Sequence, residues 1–196
     1  MPDFRTTTRF AAQGLTQTVR DGLERIRLAD KAVADNVQIV AALEEGLAGV
    51  NLQDFASEYA KVHVANYNVD HAKTLADYHR QTLMDSIDVT CGALLALSKQ
   101  GISRVHGGLA ACPTGRQIGQ TSLRDVVWQA RNQSAHCEEG KYTPAVLAVF
   151  AQLEADFGQA FHLANGVTEN RALMVVLLLD WLNDSVYDAD VQSLIG

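Results

Sequence analysis

Arg131, Asn132 and His136 are the residues whose types and spacing could do chemistry in this chain, within the segment RNQSAH. An arginine holds two phosphate oxygens at once through its planar fork. A neutral imidazole takes a proton from a hydroxyl near neutral pH, and an amide can orient that imidazole or bind the phosphate. Together the three suit phosphodiester cleavage, with the histidine as base and the arginine stabilising charge as it develops on phosphorus. If the base acts on a ribose 2′-hydroxyl, the substrate is RNA, the product ends in a 2′,3′-cyclic phosphate, and no metal or other cofactor is required.

The element that must position these residues reads as a helix. Ser122 with Asp125 resembles an acidic capping box at its start, and Glu139-Gly140 closes it. On a regular helix five residues turn the direction by about 140°, so Arg131 and His136 do not share a face. Asn132 and His136, four apart, do. Arg131 therefore reaches the same place by its length, by a helix that ends at His136, or from a second subunit.

The arginine and histidine five residues apart, with asparagine directly after the arginine, resemble the R-x4-H signature of HEPN domains in its RN…H form. The resemblance covers the motif and the helical character of the whole chain. It implies a small all-α bundle and a metal-independent endoribonuclease of the kind found in toxin–antitoxin and phage-defence systems. It also implies a homodimer in which two motif helices meet across a two-fold axis, and a possible protein antitoxin. Some HEPN toxins carry a tyrosine two residues after the histidine that a partner enzyme modifies. Here that place holds Glu138, with Tyr142 further on, which puts silencing by that route in doubt.

Composition and charge fit this picture. The chain has 196 residues, three prolines and a formal charge of −7. Scarce proline favours helices, and a mildly acidic balance argues against non-specific nucleic-acid binding. The charge is uneven, however. Lys99, Arg104, Arg116, Arg124 and Arg131 face only Asp125 in the window they span. Arg104, His106, Arg116 and Arg124 are accordingly the candidate substrate-binding residues. Cys91, Cys112 and Cys137 form no paired spacing, no apolar run is long enough to span a bilayer, and the N-terminus shows no signal core. The expectation is a cytoplasmic protein with no membrane segment.

Along the chain the apolar spacing predicts one all-helical domain of about five to six helices over 1–196. Residues 1–9 read as a loose start, then a helix runs from about Phe10 to Leu47 and a second from Leu52 to Ala65. NYNVD reads as a turn, with Asp70 capping a third helix to Lys99. Residues 100–121, with five glycines, read as a long loop before the motif helix. Thr143-Pro144 opens a fifth helix and Thr168 a sixth, whose Ala172–Leu179 run is apolar on every side. The tail SVYDADVQSLIG reads as a last short turn.

Two other constellations are weaker. His63, His71 and His79 recur every eight residues, but eight residues rise about 12 Å along a helix, too far to share one ion. Cys137 beside His136 points about 100° away from it, so the two do not form a simple nucleophile–base pair. No metal site is expected; a metal-binding bundle and a non-catalytic HEPN-like module are the alternatives to the ribonuclease.

Overall fold

The structure, a computed structural model, describes residues 4–196, and for Arg5 only the backbone. The fold is all-α. The helices are α1 (Phe4–Leu47), α2 (Phe55–His106), α3 (Leu123–Ala135), α4 (Pro144–Phe157), α5 (Ala172–Leu178) and α6 (Asp184–Ile195). Between α2 and α3, β1 (Gln117–Ile118) pairs antiparallel with β2 (Thr121–Ser122), Gln117 opposite Ser122. The described chain forms two compact units. One is Asp21–Asp85; the other combines the residues up to Arg20 with Ser86–Gly196. Helices α1 and α2 each contribute to both.

In the unit Asp21–Asp85 the two helices meet along a seven-residue repeat. Ile26, Val33, Val40 and Leu47 alternate with Gly22, Ala29, Asn36 and Leu43 on α1, all buried or half-buried. On α2 the matching series is Val62, Ala65, Val69, Ala72, Ala76, His79 and Leu83. A repeat of 3.5 residues keeps a seam facing its partner along a two-helix coil. The turn between the helices is built on Asn51, whose side-chain oxygen accepts from the backbone N–H of Gln53 and Asp54 at 2.9 and 3.1 Å.

This seam explains why NYNVD is helix rather than turn. Val69, inside it, is buried against Val40 and Ala65. Asparagine and aspartate in a helix each cost a few tenths of a kcal/mol, which seam packing outweighs. Asn66 donates back to the Val62 carbonyl at 3.1 Å. Asp70 caps nothing; its carbonyl accepts from the Thr74 hydroxyl at 2.9 Å, one turn on.

The other unit surrounds α3. Its core holds Leu94, Leu95 and Ile102 of α2, Val126 and Val127 of α3, Phe150 of α4, Val176 of α5 and Trp181, none more than 1 % exposed. Residues 1–3 of the expected loose start lie outside the described residues, and the rest of it is the first turns of α1. Those turns are tied down: Thr16 donates to Asp184 Oδ1 at 2.8 Å and Arg9 pairs with Asp188 at 2.9 Å. The loop expected from residue 100 begins only after His106. Gly101 stays helical because its missing side chain lets Phe4 approach; a Cβ there would lie 2.8 Å from the Phe4 ring.

The caps of α3 and α4 are as the sequence reads. Ser122 accepts from the Asp125 N–H at 3.2 Å, and Thr143 from Val146 at 3.4 Å. Thr168 is not a cap, since α5 starts at Ala172. Its apolar run is a core helix, with Val175, Val176 and Leu179 fully buried. The tail is a full helix, α6, capped by Asn183.

Asp190 of α6 joins the segment before α3 to this core. Its carboxylate accepts from Arg116 Nε and Nη2 at 2.8 and 2.9 Å and from the Trp181 indole at 2.8 Å. Trp181 is fully buried and Asp190 nearly so. Asp190→Ala would strand the indole N–H without an acceptor and remove the clamp on Arg116. A loss of about 2–4 kcal/mol is expected, read as a lower midpoint in urea. Lys31→Ala, in the exposed pair with Asp35, should change stability by less than about 0.5 kcal/mol.

Candidate functional site

Helix α3 carries the motif, and its rotational setting is fixed by Gln133. That amide is fully buried. Its Nε2 donates to the Glu169 carbonyl at 2.8 Å and to the Tyr142 hydroxyl oxygen at 3.3 Å, while its Oε1 accepts from the Arg171 N–H at 3.0 Å. With Gln133 turned inward, the two residues before it point to other sides, each about 100° from the next.

Asn132 meets α2. Its Oδ1 accepts from Lys99 Nζ at 2.9 Å and its Nδ2 donates to Gln129 Oε1 at 3.2 Å. The same ammonium lies 4.5 Å from the centre of the Trp128 ring, so Trp128 packs under a cation. Arg131 lines a cleft of ≈ 570 Å³ with Ala96, Lys99, Gln100 and Ser103 of α2 and Ala11 and Leu15 of α1. It also lines a smaller cleft of ≈ 270 Å³ beside Gly92, Ala93 and Ser134. No carboxylate pairs with its guanidinium among the described residues. Burial, and then the Arg131 charge, lower the pKa of Lys99.

Helix α3 ends at Ala135. His136 is its C-terminal cap, at φ −129° and ψ 15°. A single 3-10 turn, Cys137–Glu139, follows and is closed by Gly140 in the left-handed region at φ 59°. This turn brings Glu139 back to the imidazole, with Oε1 2.8 Å from His136 Nδ1. It is Glu139, not Asn132, that bonds the ring. The bond leaves Nε2 as the nitrogen able to face a substrate. Asn132, His136, Glu139, Lys141, Tyr142, Thr143 and Val146 line one cleft of ≈ 350 Å³.

The structure thus brings Asn132 and His136 to one cleft and Arg131 to its neighbours on the α2 side. Glu139 and Lys99 are the two functional candidates that sequence reasoning passed over. An acid three residues after the histidine was a readable signal for the first. Lys99 stands in the basic run before the motif, but nothing local marks it as the partner of Asn132, 33 positions away.

Each of the four candidate substrate-binding residues meets a partner within the fold. Arg104 is exposed and lies 5.2 Å from the Phe4 ring. His106 Nε2 is 2.7 Å from the Leu194 carbonyl. Arg116 gives its donors to Asp190 and to the Leu179 carbonyl at 2.8 Å, and the Asp190 carboxylate raises its pKa. Arg124 donates to the Cys112 carbonyl at 2.8 Å. His106 therefore ties the end of α2 to α6, and Arg116 and Arg124 hold the segment before α3 through carboxylate and backbone oxygens.

Cys137 donates to the Ser134 carbonyl at 3.4 Å, and burial pushes its thiol up. Cys91 is buried, and its thiol is pushed up to about 12 by burial and by Asp88. The Tyr142 hydroxyl donates to the Val167 carbonyl at 2.7 Å and is nearly buried. No group of three or more His, Cys, Asp or Glu side chains among the described residues is placed to hold a metal ion. No helix among them is long and apolar enough to cross a membrane. The chain matches no family model, no curated protein and no solved structure.

Proposed function

We propose that this protein is a metal-independent endoribonuclease of HEPN type, working in a toxin–antitoxin or phage-defence setting. The observation that carries the reading is the His136–Glu139 contact at 2.8 Å beside Asn132. Glu139 holds Nδ1 and so presents Nε2 as the base that takes the proton of a ribose 2′-hydroxyl. The oxygen freed of its proton attacks the adjacent phosphorus, the bond to the 5′-oxygen breaks with that oxygen taking a proton from water, and a 2′,3′-cyclic phosphate and a 5′-hydroxyl form. Arg131, unpaired with any carboxylate among the described residues, is the clamp on the phosphate oxygens. Lys99, beside Arg131 and Asn132, adds positive charge at the same helix.

In one chain Arg131 and His136 line different clefts. A two-fold dimer with the α3 helices near the axis supplies the arginine of one copy to the histidine of the other. The protein acts in the cytoplasm, with a protein antitoxin as a further partner. The same separation of Arg131 from His136 favours a second reading, a helical binding module without catalysis. Cleavage of RNA in EDTA by the purified wild type decides between them. The ribonuclease cleaves and leaves a cyclic phosphate; the binding module leaves the RNA intact.

His136→Ala is expected to lower cleavage by about 100-fold or more, the usual worth of a general base. Helical circular dichroism and the melting curve should stay unchanged, since the ring is half exposed. Unfolding of that variant would return His136 to a structural role. Glu139→Gln should cost about tenfold, because the ring keeps a hydrogen-bonding neighbour but loses its anion. Activity equal to wild type would mean that the Glu139 contact orients nothing. Arg131→Lys should retain no more than about one per cent of the rate, since an ammonium lacks the two-oxygen fork. Near wild-type cleavage by that variant would leave Arg131 only a general positive field.

A further inference from the structure

The coiled unit Asp21–Asp85 has two unlike edges. On one, Arg80 of α2 pairs with Asp30 of α1 at 2.5 Å and with Asp77 at 2.8 Å. Arg80 lies four residues after the seam residue Ala76, and Asp30 four after Ile26. Residues one position before the seam belong to the opposite edge. There α2 places Asn68, Leu75 and Thr82, and α1 places Ile39. The adjoining row on α2 is Val64, His71 and Tyr78. Val64, Leu75, Tyr78 and Ile39 are each about half exposed or more (58, 47, 63 and 53 %). From Val64 to Thr82 this stripe holds no Asp, Glu, Lys or Arg.

The stripe recurs in steps of three and four: 61, 64, 68, 71, 75, 78, 82, 85. That is the spacing of a second coiled-coil seam, which takes another helix as its occupant. The series reads the same in reverse. An antiparallel second copy lays the stripe on itself, with His71 on Leu75, Asn68 on Tyr78 and Val64 on Thr82. Its ends carry opposite charges, Lys61 and Asp85, both exposed. Antiparallel pairing puts each lysine beside the aspartate of the other copy, whereas parallel pairing puts like charges together. Lys61 is already held by Glu58 at 2.6 Å, which fixes the ammonium at the stripe's end. A cleft of ≈ 400 Å³ formed by Ala60, Lys61, Val64, Ala65 and Asn68 gives that end a depression for an incoming side chain.

We infer that the outer stripe of α2 between Lys61 and Asp85 is an interface with a second copy of this chain, paired antiparallel so that two helical hairpins form a four-helix bundle. This association is independent of the RNA-cleaving reading. Sedimentation of the full chain at graded concentration tests it. Wild type is expected to self-associate, and Leu75→Glu/Tyr78→Glu to halve the mass, because four carboxylates enter one uncharged seam. Unchanged mass in that variant, or a monomeric wild type, overturns the proposal. The charge pair gives a second measurement on variants that keep Val64, Leu75 and Tyr78. Lys61→Glu alone and Asp85→Lys alone should each weaken association by about tenfold, through two symmetry-related contacts turned repulsive. Lys61→Glu/Asp85→Lys together should restore it. Within one chain the two positions lie about 36 Å apart along the helix, so restoration reports the contact between copies. A double variant no better than the singles overturns the antiparallel pairing.

Discussion

One buried amide sets the geometry of the motif. Gln133 spends both ends of its side chain on the backbone of the segment that leads into α5, with no water to replace those bonds. A helix whose thirteen residues turn as a rigid body cannot rotate without breaking them. Fixing Gln133 inward therefore fixes Asn132 and Arg131 on successive sides and fixes where the helix end leaves His136. The polar residues that could meet a substrate take their directions from the one that cannot.

The helix end is the second determinant. On a continued helix Glu139, three residues on, would also neighbour His136; here a 3-10 turn closed by Gly140 sets the geometry of that contact. Gly140 is needed there for its positive φ, which closes the turn. Its carbonyl accepts from the Gly166 N–H at 2.7 Å. The three-residue spacing thus allows the carboxylate–imidazole contact, and the 3-10 turn fixes how the chain leaves it.

Much of this was legible in the sequence, and the rest failed for identifiable reasons. The helical class and the Ser122 and Thr143 caps follow from local rules, and local rules hold where tertiary packing does not oppose them; α3 itself stops at Ala135, short of the expected Glu139-Gly140, which instead closes a 3-10 turn. NYNVD and Gly101 misled because seam burial at Val69 and the approach of Phe4 outweigh weak intrinsic preferences. At the site, the spacing placed Asn132 and His136 together and left Arg131 apart. It could not show that Lys99, far along the chain, would take the amide of Asn132. The arginines before α3 looked like an anion-binding run in one dimension; folded, Arg116 and Arg124 are absorbed by oxygens of their own unit, a partnership invisible without Asp190 and Cys112 in place.

The first helix also imposes an order of events on the growing chain. Thr16 and Arg20 find their partners at Asp184 and Leu182, so this segment waits until those residues have been made. At ribosomal speeds of about 5–20 residues per second, 168 residues amount to roughly 8–34 s. The hairpin of residues 21–85 needs only neighbouring sequence and can close in far less time. Ala12 and Val19, later sealed, stay uncovered throughout the interval. Newborn chains should thus carry an uncovered apolar segment around Ala12 and Val19 that chaperones can grasp, and release before Asp184 is made leaves that segment without its partner.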